Sequence, residues 1–172
     1  MKLLRWLLAI GVCAWAGQYL LALMIPNLVM ETVYALGSKQ GYNQLVVSPV
    51  SDETARSIVR PSPDLLYAAC IYDLSDGPLV IEASIPKRYW SMQFYQMNTD
   101  NYAGITNQRE EQHRVGSMAK VTLISADDDP AEYGGDVIQS PTDRGIAMLR
   151  ASAIGDPRAQ RAALNASSCR PL

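Results

Sequence analysis

The sequence is poor in the residues that bind transition metals. It contains one histidine, His113, and three cysteines in 172 residues. Protein sites for zinc and similar metals are built from several histidine or cysteine ligands, so we expect no metal site. The sequence also lacks a glycine-rich phosphate loop, a dinucleotide-binding fingerprint and a G-x-S-x-G nucleophile motif. We therefore expect no bound cofactor and assign no residue a catalytic role.

An excess of positive charge is also missing. The chain has 15 lysines and arginines against 17 aspartates and glutamates, a net charge of −2. Proteins that bind nucleic acids place a cluster of basic residues on one face, so we predict no nucleic-acid partner. Three adjacent aspartates at positions 127–129 are typical of a solvated acidic loop, because a calcium-binding loop spaces its carboxylates at alternate positions.

Charged side chains are absent from one long segment near the N-terminus. Between Trp6 and Met30 there is no aspartate, glutamate, lysine or arginine. As a helix this segment would extend about 37 Å, which exceeds the roughly 30 Å hydrocarbon core of a bilayer. Lys2 and Arg5 precede the segment and Glu31 follows it. The positive-inside rule therefore predicts a transmembrane helix whose N-terminus lies in the cytoplasm.

A cleaved signal peptide is the alternative interpretation of this segment. Ala14, Trp15 and Ala16 form a small-x-small cleavage motif after a short apolar run. Cleavage there would leave residues 17–30 as an exposed apolar N-terminus, so the uncleaved anchor is favoured. We predict a bacterial inner-membrane protein whose soluble domain lies in the periplasm.

The remainder of the chain has the pattern of a small β-rich domain. We divide the sequence into an anchor (residues 1–36), a connector (37–63) and a β-domain (64–172). Apolar residues between turn signals predict strands over residues 45–47, 65–74, 79–85, 89–97, 102–106, 120–125, 136–139 and 145–151. Asp156 followed by Pro157 predicts a short C-terminal helix up to residue 165. The strand spacing indicates a mainly β fold, an antiparallel β-sandwich.

The strongest local prediction concerns two neighbouring strands. Residues 65–74 form a continuous apolar run, and residues 79–85 alternate between apolar and polar side chains. Residues 75–78, between them, contain aspartate, glycine and proline, which favour a tight turn. We therefore predict that the two strands pair as a hairpin.

The cysteines outside the apolar segment form the second candidate feature. Cys13 lies within the predicted membrane helix, which leaves Cys70 and Cys169 in an exported compartment that permits disulfides. A bridge between them would close a loop of about 100 residues and stabilise the fold by up to ~4.7 kcal/mol in the chain-entropy model. Two unpaired thiols are the alternative.

Five short motifs resemble one family of bacterial proteins. They occupy residues 60–67, 73–78, 89–91, 98–102 and 140–142. Over residues 43–151 the chain resembles the family called domain of unknown function 1254. The resemblance implies an immunoglobulin-like β-sandwich, and it implies no reaction because the family has no settled one.

The same resemblance implies a protein partner. Long members of that family append a second β-domain, of the unknown-function 1214 type, which this sequence does not contain. If the two-domain arrangement matters, a separate membrane protein supplies the second domain.

A group of polar and aromatic residues at predicted strand ends and turns is the candidate ligand cleft. Its members are Arg60, Tyr67, Asp73, Trp90, Asn98, Asp100, Asn101 and Tyr102. The alternative is that they form a structural corner of the sandwich. The function we expect is therefore an anchored module that binds a protein partner or small ligand. The alternative function is an envelope hydrolase or auxiliary enzyme that uses carboxylates in turns, such as Asp76 and Asp143.

Overall fold

The structure of this protein is a computed structural model, in which we describe residues 2–51, 61–108 and 116–172. Arg60 and His113, which the sequence singled out, lie outside these described residues. The predictions that concern them therefore stay predictions.

The described residues form two α-helices and nine β-strands. The helices are α1 (Lys2–Gly37) and α2 (Pro157–Asn165). The strands are β1 (Leu45–Val47), β2 (Leu65–Asp73), β3 (Leu79–Ser84), β4 (Trp90–Gln96), β5 (Asn101–Thr106), β6 (Met118–Ile124), β7 (Asp136–Gln139), β8 (Arg144–Ser152) and β9 (Ser168–Pro171). Each predicted strand and the predicted C-terminal helix has a counterpart, with ends that differ by two residues at most. Only β9 was not predicted.

The strands form a sandwich of two sheets. The five-stranded sheet has the order β1-β2-β8-β4-β5, and the four-stranded sheet has the order β7-β6-β3-β9. All neighbours in the five-stranded sheet are antiparallel. In the four-stranded sheet β6 and β7 run parallel. The predicted mainly β sandwich, with an N-terminal helix and a short C-terminal helix, is confirmed, but one of its sheets is mixed rather than antiparallel.

The predicted hairpin between β2 and β3 is wrong. β2 pairs with β1 and β8 in one sheet, whereas β3 pairs with β6 and β9 in the other. The turn between them carries the chain across the core instead of returning it along the same sheet. Leu74 and Leu79, on either side of this turn, are both buried in the core. A hairpin within one sheet and a turn that crosses to the other sheet both combine alternating side chains with a tight turn. The sequence pattern therefore could not distinguish these two connections.

The core lies between the two sheets. Along β2, β4 and β8 the inward side chains are buried and alternate with side chains on the outer face. The largest buried side chains on the inner side of the five-stranded sheet are Tyr72, Trp90, Met92, Phe94 and Leu149. Leu164 of α2 is also fully buried in this cluster. α2 begins as predicted, because the Asp156 side chain accepts a hydrogen bond from Ala159 N at 3.0 Å and Pro157 occupies the first turn.

A disulfide joins the two sheets. Cys70 of β2 and Cys169 of β9 are bonded, with their Cα atoms 6.3 Å apart and 99 positions apart in the chain. Both side chains are buried in the core. Within the described residues the free cysteine is Cys13, on the exposed surface of α1.

The long helix α1 has two parts with different surroundings. Up to Val29 its large apolar side chains are exposed, with relative accessibilities between 49% and 73%. Met30 and Tyr34, in contrast, are only 5% and 4% exposed, because the last two turns pack on the outer face of the five-stranded sheet. α1 is long and apolar enough to cross a membrane, a criterion that both a membrane anchor and a signal sequence satisfy.

Candidate functional site

The predicted ligand-cleft residues do not meet in one place. Tyr67 lies on the outer face of the five-stranded sheet, because its neighbours Leu66 and Ala68 point into the core. Trp90 is fully buried in that core, with 0% exposure. Asp73 ends β2, and the remaining described candidates, Asn98, Asp100, Asn101 and Tyr102, belong to the β4–β5 turn and to β5. The structure therefore divides the candidates among four environments.

The β4–β5 turn is closed by its own polar side chains. Asn98 Nδ2 donates to Asp100 Oδ2 at 2.8 Å, and Asp100 N donates to Asn98 Oδ1 at 2.9 Å. Asn101 Nδ2 donates to Gln93 Oε1 on the neighbouring strand at 2.8 Å. Thr99, between Asn98 and Asp100, adopts a positive φ of 75°, which is unusual for a β-branched residue. The Asp100 carboxylate thus serves as a local hydrogen-bond acceptor in a strained, exposed turn.

Tyr102 belongs to a buried chain of hydroxyl groups. Ser140 Oγ donates to Thr142 O at 2.6 Å, so its only hydrogen is used there. Tyr72 is then the only possible donor in its 2.9 Å contact with Ser140 Oγ, and its single hydrogen also faces Tyr95 O at 3.4 Å. Tyr102 is therefore the donor in the 3.0 Å contact between the two tyrosine hydroxyls. Burial raises the pKa of both tyrosines, so both hydroxyls remain protonated at neutral pH. Tyr72, at the centre of this chain, was not a sequence candidate.

Asp73 lies at the junction between α1 and the sheet. The single hydrogen of the Tyr34 hydroxyl of α1 is shared between two acceptors, Asp73 Oδ2 at 3.4 Å and Tyr72 O at 3.3 Å. Arg144, the cross-strand partner of Asp73, lies over the Tyr34 ring with its Cζ 5.3 Å from the ring centroid. The same arginine pairs with Glu31 of α1 at 3.2 Å. We call the packing of Met30 and Tyr34 on Ile71 and Ile146, with these polar contacts, the α1–sheet junction.

Apolar contacts contribute most of the stability of the α1–sheet junction. A fully buried large side chain stabilises a fold by about 1.5–3 kcal/mol, whereas an exposed ion pair contributes about 0.2–1 kcal/mol. Glu31 and Arg144 are about half exposed, so their pair falls in the weaker class. At the end of α1, a Cβ on Gly37 would lie 2.7 Å from the Ile71 side chain, which indicates how closely the helix approaches the sheet.

The chain that follows α1 is fixed to the same end of β2. Asn43 N donates to Ile71 O at 2.9 Å, and the Asn43 side chain exchanges two hydrogen bonds with the Asp73 backbone, at 2.9 and 2.8 Å. Asn43 adopts a positive φ of 58°, a conformation that asparagine tolerates better than most residues. The α1–sheet junction is thus held by the helix and by the segment after it.

A second group on the outer face lies further along the same strands. Arg150 of β8 is in register with Tyr67 of β2 on one side and with Ser91 of β4 on the other. The Arg150 Nε atom is buried and has no hydrogen-bond partner among the described residues. Tyr67 accepts a hydrogen bond from Ser62 N at 3.0 Å, and Ser91 accepts one from the Tyr89 hydroxyl at 3.1 Å. Sequence analysis missed Arg150, because only the register of β2, β8 and β4 reveals its neighbours.

One family model matches most of this chain. Residues 42–170 match the family described as protein of unknown function DUF1254. The chain belongs to this family. The match includes β1 to β8, α2 and most of β9, and so extends beyond the predicted region of resemblance at its C-terminal end. No curated protein matches the chain.

One solved structure shares the fold seen here, and a second has a weaker similarity to it. The VPA0106 protein from Vibrio parahaemolyticus is similar with a TM-score of 0.61 at 15% identity, over 86% of this chain and 35% of that chain. A Burkholderia cenocepacia protein of uncharacterized function is similar with a TM-score of 0.49 at 20% identity, over 70% of this chain and 34% of that chain. This chain therefore corresponds to about a third of the length of either protein. At this identity the Vibrio structure supports the fold alone.

The carboxylates of this DUF1254 protein are held by their own turns. Asp73 Oδ1 accepts from both the backbone N and the hydroxyl of Ser75, the former at 3.0 Å. Asp143 Oδ1 accepts from Ser125 Oγ at 2.8 Å. Among the described residues, no group of three or more histidine, cysteine or acidic side chains is placed to hold a metal ion.

The environment of Asp73 keeps this carboxylate ionised. Burial raises the pKa of Asp73, but hydrogen bonds from Ser75 and Tyr34 and the nearby Arg144 lower it by more, so the pKa lies below its usual value. A general acid needs the opposite shift. Asp73 is therefore suited to receive hydrogen bonds at the α1–sheet junction.

We expect Asp73→Asn to lower the free energy of unfolding at neutral pH and to have little effect in strong acid. Because the folded-state pKa is lowered, the ionised carboxylate stabilises the fold above the unfolded-state pKa of about 3.9, and this stabilisation is lost as the pH falls through the folded-state pKa. Urea unfolding of the full chain in detergent, at neutral pH and below the folded-state pKa, measures both effects.

Asp76→Asn is the matched control for this substitution, because Asp76 is exposed and follows in the same turn. It should leave the unfolding free energy unchanged at both pH values. A deficit in Asp73→Asn that is equal at neutral and acid pH would contradict the electrostatic explanation.

Proposed function

We propose that this DUF1254 protein is a non-catalytic module anchored in the bacterial inner membrane. In this proposal α1 crosses the bilayer with its N-terminus in the cytoplasm, and the sandwich lies in the periplasm and binds a protein partner or a small ligand. The observation that carries the proposal is the division of α1 into an exposed apolar part, up to Val29, and a docked part, Met30 to Gly37. Soluble proteins rarely expose an apolar surface of that length.

The α1–sheet junction gives the proposed anchor a defined geometry. Glu31 pairs with Arg144 at the end of the sheet, Tyr34 contacts Asp73, and Gly37 lies against Ile71 two residues further into β2. α1 therefore leaves the sandwich past the Asp73 end of β2. If residues 6–29 lie in the bilayer, this end of the sandwich faces the membrane and the α2 end faces away from it.

The proposal favours an anchor over a cleaved signal peptide for a structural reason. Cleavage after Ala16 would keep Met30 and Tyr34 docked and leave residues 17–29 projecting from the sandwich as an apolar helix. Burial of that helix in a bilayer removes this exposed surface from water.

Binding is favoured over hydrolysis because three of the four candidate carboxylates already have a local role, and the fourth, Asp76, is exposed. Asp73, Asp100 and Asp143 accept hydrogen bonds from side chains of their own or adjacent turns. Glycoside hydrolysis needs two carboxyl groups that flank a substrate, one of them with a raised pKa. The described carboxylates support no such pair.

A separate protein with the second family domain is the partner we propose. The support is the length of the solved relatives, in which the region similar to this chain is only about a third of the polypeptide. A two-domain relative keeps both domains together through its covalent chain, and two anchored proteins would keep them together in the membrane plane.

We expect the full-length protein, tagged at each end, to remain in the membrane after alkaline carbonate extraction. Proteinase K added to spheroplasts should digest the C-terminal tag and leave the N-terminal tag intact, because the sandwich is on the periplasmic side. Intact mass should correspond to a chain that retains α1. A soluble periplasmic form that begins at Gly17, or a C-terminal tag protected in spheroplasts, would contradict the anchor.

The partner proposal predicts a specific co-purification. Crosslinking in intact cells, followed by purification of the tagged protein from membranes, should recover a second protein that contains the second family domain. A variant in which α1 is replaced by an unrelated single-span helix tests whether the sandwich carries the interaction. Recovery of no such protein in repeated experiments would count against the partner.

A further inference from the structure

We propose that the row of outer-face residues Tyr67, Arg150 and Ser91 is a binding site for a carboxylate group. We call these three residues the outer row. The proposal rests on the proposed function of the sandwich as a binding module, and it names the ligand chemistry of that module. It does not depend on the identity of the protein partner, and it uses the position of α1 only to exclude a lipid phosphodiester.

The register of the sheet brings the outer row together. Tyr67 is the Cα partner of Arg150 in the β2–β8 ladder, and Ser91 is the Cα partner of Arg150 in the β4–β8 ladder. All three side chains point away from the core, because the residues next to them along each strand are core residues. Directly opposed side chains on one face of a sheet have Cβ atoms about 4.5–5.5 Å apart, so Arg150 starts from a position next to Tyr67 on one side and next to Ser91 on the other.

The outer row presents hydrogen-bond donors that have no acceptor among the described residues. Arg150 forms no hydrogen bond or ion pair with the described residues, although its Nε is buried. The Tyr67 oxygen already accepts from Ser62 N, and the Ser91 oxygen already accepts from the Tyr89 hydroxyl. Each hydroxyl therefore keeps its own hydrogen available, with no acceptor among the described residues.

An unpaired, partly buried guanidinium is costly, and an anionic ligand offsets that cost. Removing a charge from water without a partner is unfavourable. The planar guanidinium donates two parallel hydrogen bonds to a carboxylate, and the Tyr67 hydroxyl can bind a remaining lone pair. Tyr67 and Arg150 are both partly exposed, so solutes reach them, while Ser91 is 1% exposed and borders the site on the β4 side.

Charge and position select a carboxylate of a soluble molecule. The row contains one cation, which neutralises one negative charge and would leave a phosphate dianion half compensated. Tyr67 lies six residues before Asp73 along β2, which is roughly 20 Å at the rise of an extended strand. The bilayer proposed above lies beyond the Asp73 end, so a lipid phosphodiester would be too distant. α1 ends at Gly37 over Ile71 and does not extend to the row.

Nuclear magnetic resonance of the full-length, ¹⁵N-labelled protein in detergent tests the proposal through the Arg150 Nε–H signal. The probes are acetate and benzoate, with acetamide and benzamide as their neutral counterparts and inorganic phosphate as a competing anion. We expect at least one of the two carboxylates to shift the Arg150 signal in a saturable manner. The neutral amides should cause no saturable shift, and phosphate should bind more weakly.

Three variants make the assignment specific. Arg150→Gln should weaken carboxylate binding by about tenfold or more, since a hydrogen bond to a charged group is lost, and Tyr67→Phe by roughly two- to tenfold. Arg158→Gln, which removes an exposed arginine on α2, should change the affinity by less than about twofold. The backbone amide spectrum of each variant shows whether the sandwich remains folded.

Several results would overturn the proposal. These are no saturable shift with either carboxylate, tighter binding of phosphate than of carboxylate, or unchanged carboxylate affinity in a folded Arg150→Gln variant. If the outer row binds no carboxylate but the membrane anchor and the protein partner are found, the proposed function still holds. Carboxylate binding by a protein that proves not to be anchored would overturn the anchor alone.

Discussion

The docking of the last two turns of α1 on the five-stranded sheet is the contact on which the arrangement of this molecule depends. Met30 and Tyr34 bury against Ile71 and Ile146, and the Tyr34 hydroxyl reaches the carboxylate that ends β2. Without that contact the apolar helix and the sandwich would be two bodies joined by a short connection. With it, the direction of the helix relative to the sandwich is fixed, and in the proposed anchor this direction decides which end of the sandwich faces the bilayer.

That direction gives the two polar groups of the outer face different roles. The group around Asp73 and Arg144 connects the helix to the sheet, and its carboxylate already has its donors. The group around Arg150 lies on the same face beyond the end of the helix, and its donors have no acceptor among the described residues. The disulfide between Cys70 and Cys169 links the two sheets beneath this face, so the outer row stands on a cross-linked core. We infer that one part of the face serves attachment and the other serves recognition.

Local patterns in the sequence predicted much of the fold. Apolar alternation located β1 to β8, and the Asp156–Pro157 pair located the start of α2, because each signal depends on neighbouring residues only. The pairing of β2 with β8 rather than β3 could not be read from such signals, because it depends on contacts between distant residues. β9 was missed because four residues with proline and arginine carry no alternating pattern.

The candidate site was less predictable than the fold, for the same reason. Motifs identified Tyr67 and Asp73, but they also selected Trp90, whose side chain turns into the core. Arg150 lies in a predicted strand and gains significance only from Tyr67 and Ser91 on the flanking strands. The docked part of α1 was missed because a membrane helix is recognised by its apolar length, and nothing in that length indicates which turns contact the domain.

The distance between α1 and the sandwich tests the central claim most directly. Spin labels at Asn27→Cys and Lys120→Cys, both exposed positions, can be placed in a Cys13→Ala chain reconstituted in lipid nanodiscs. Double electron–electron resonance should give one narrow distance distribution, because the α1–sheet junction holds helix and sandwich together. Tyr34→Ala combined with Ile146→Ala should broaden it. A broad distribution in the chain with an intact junction, unchanged by these two substitutions, would contradict the account.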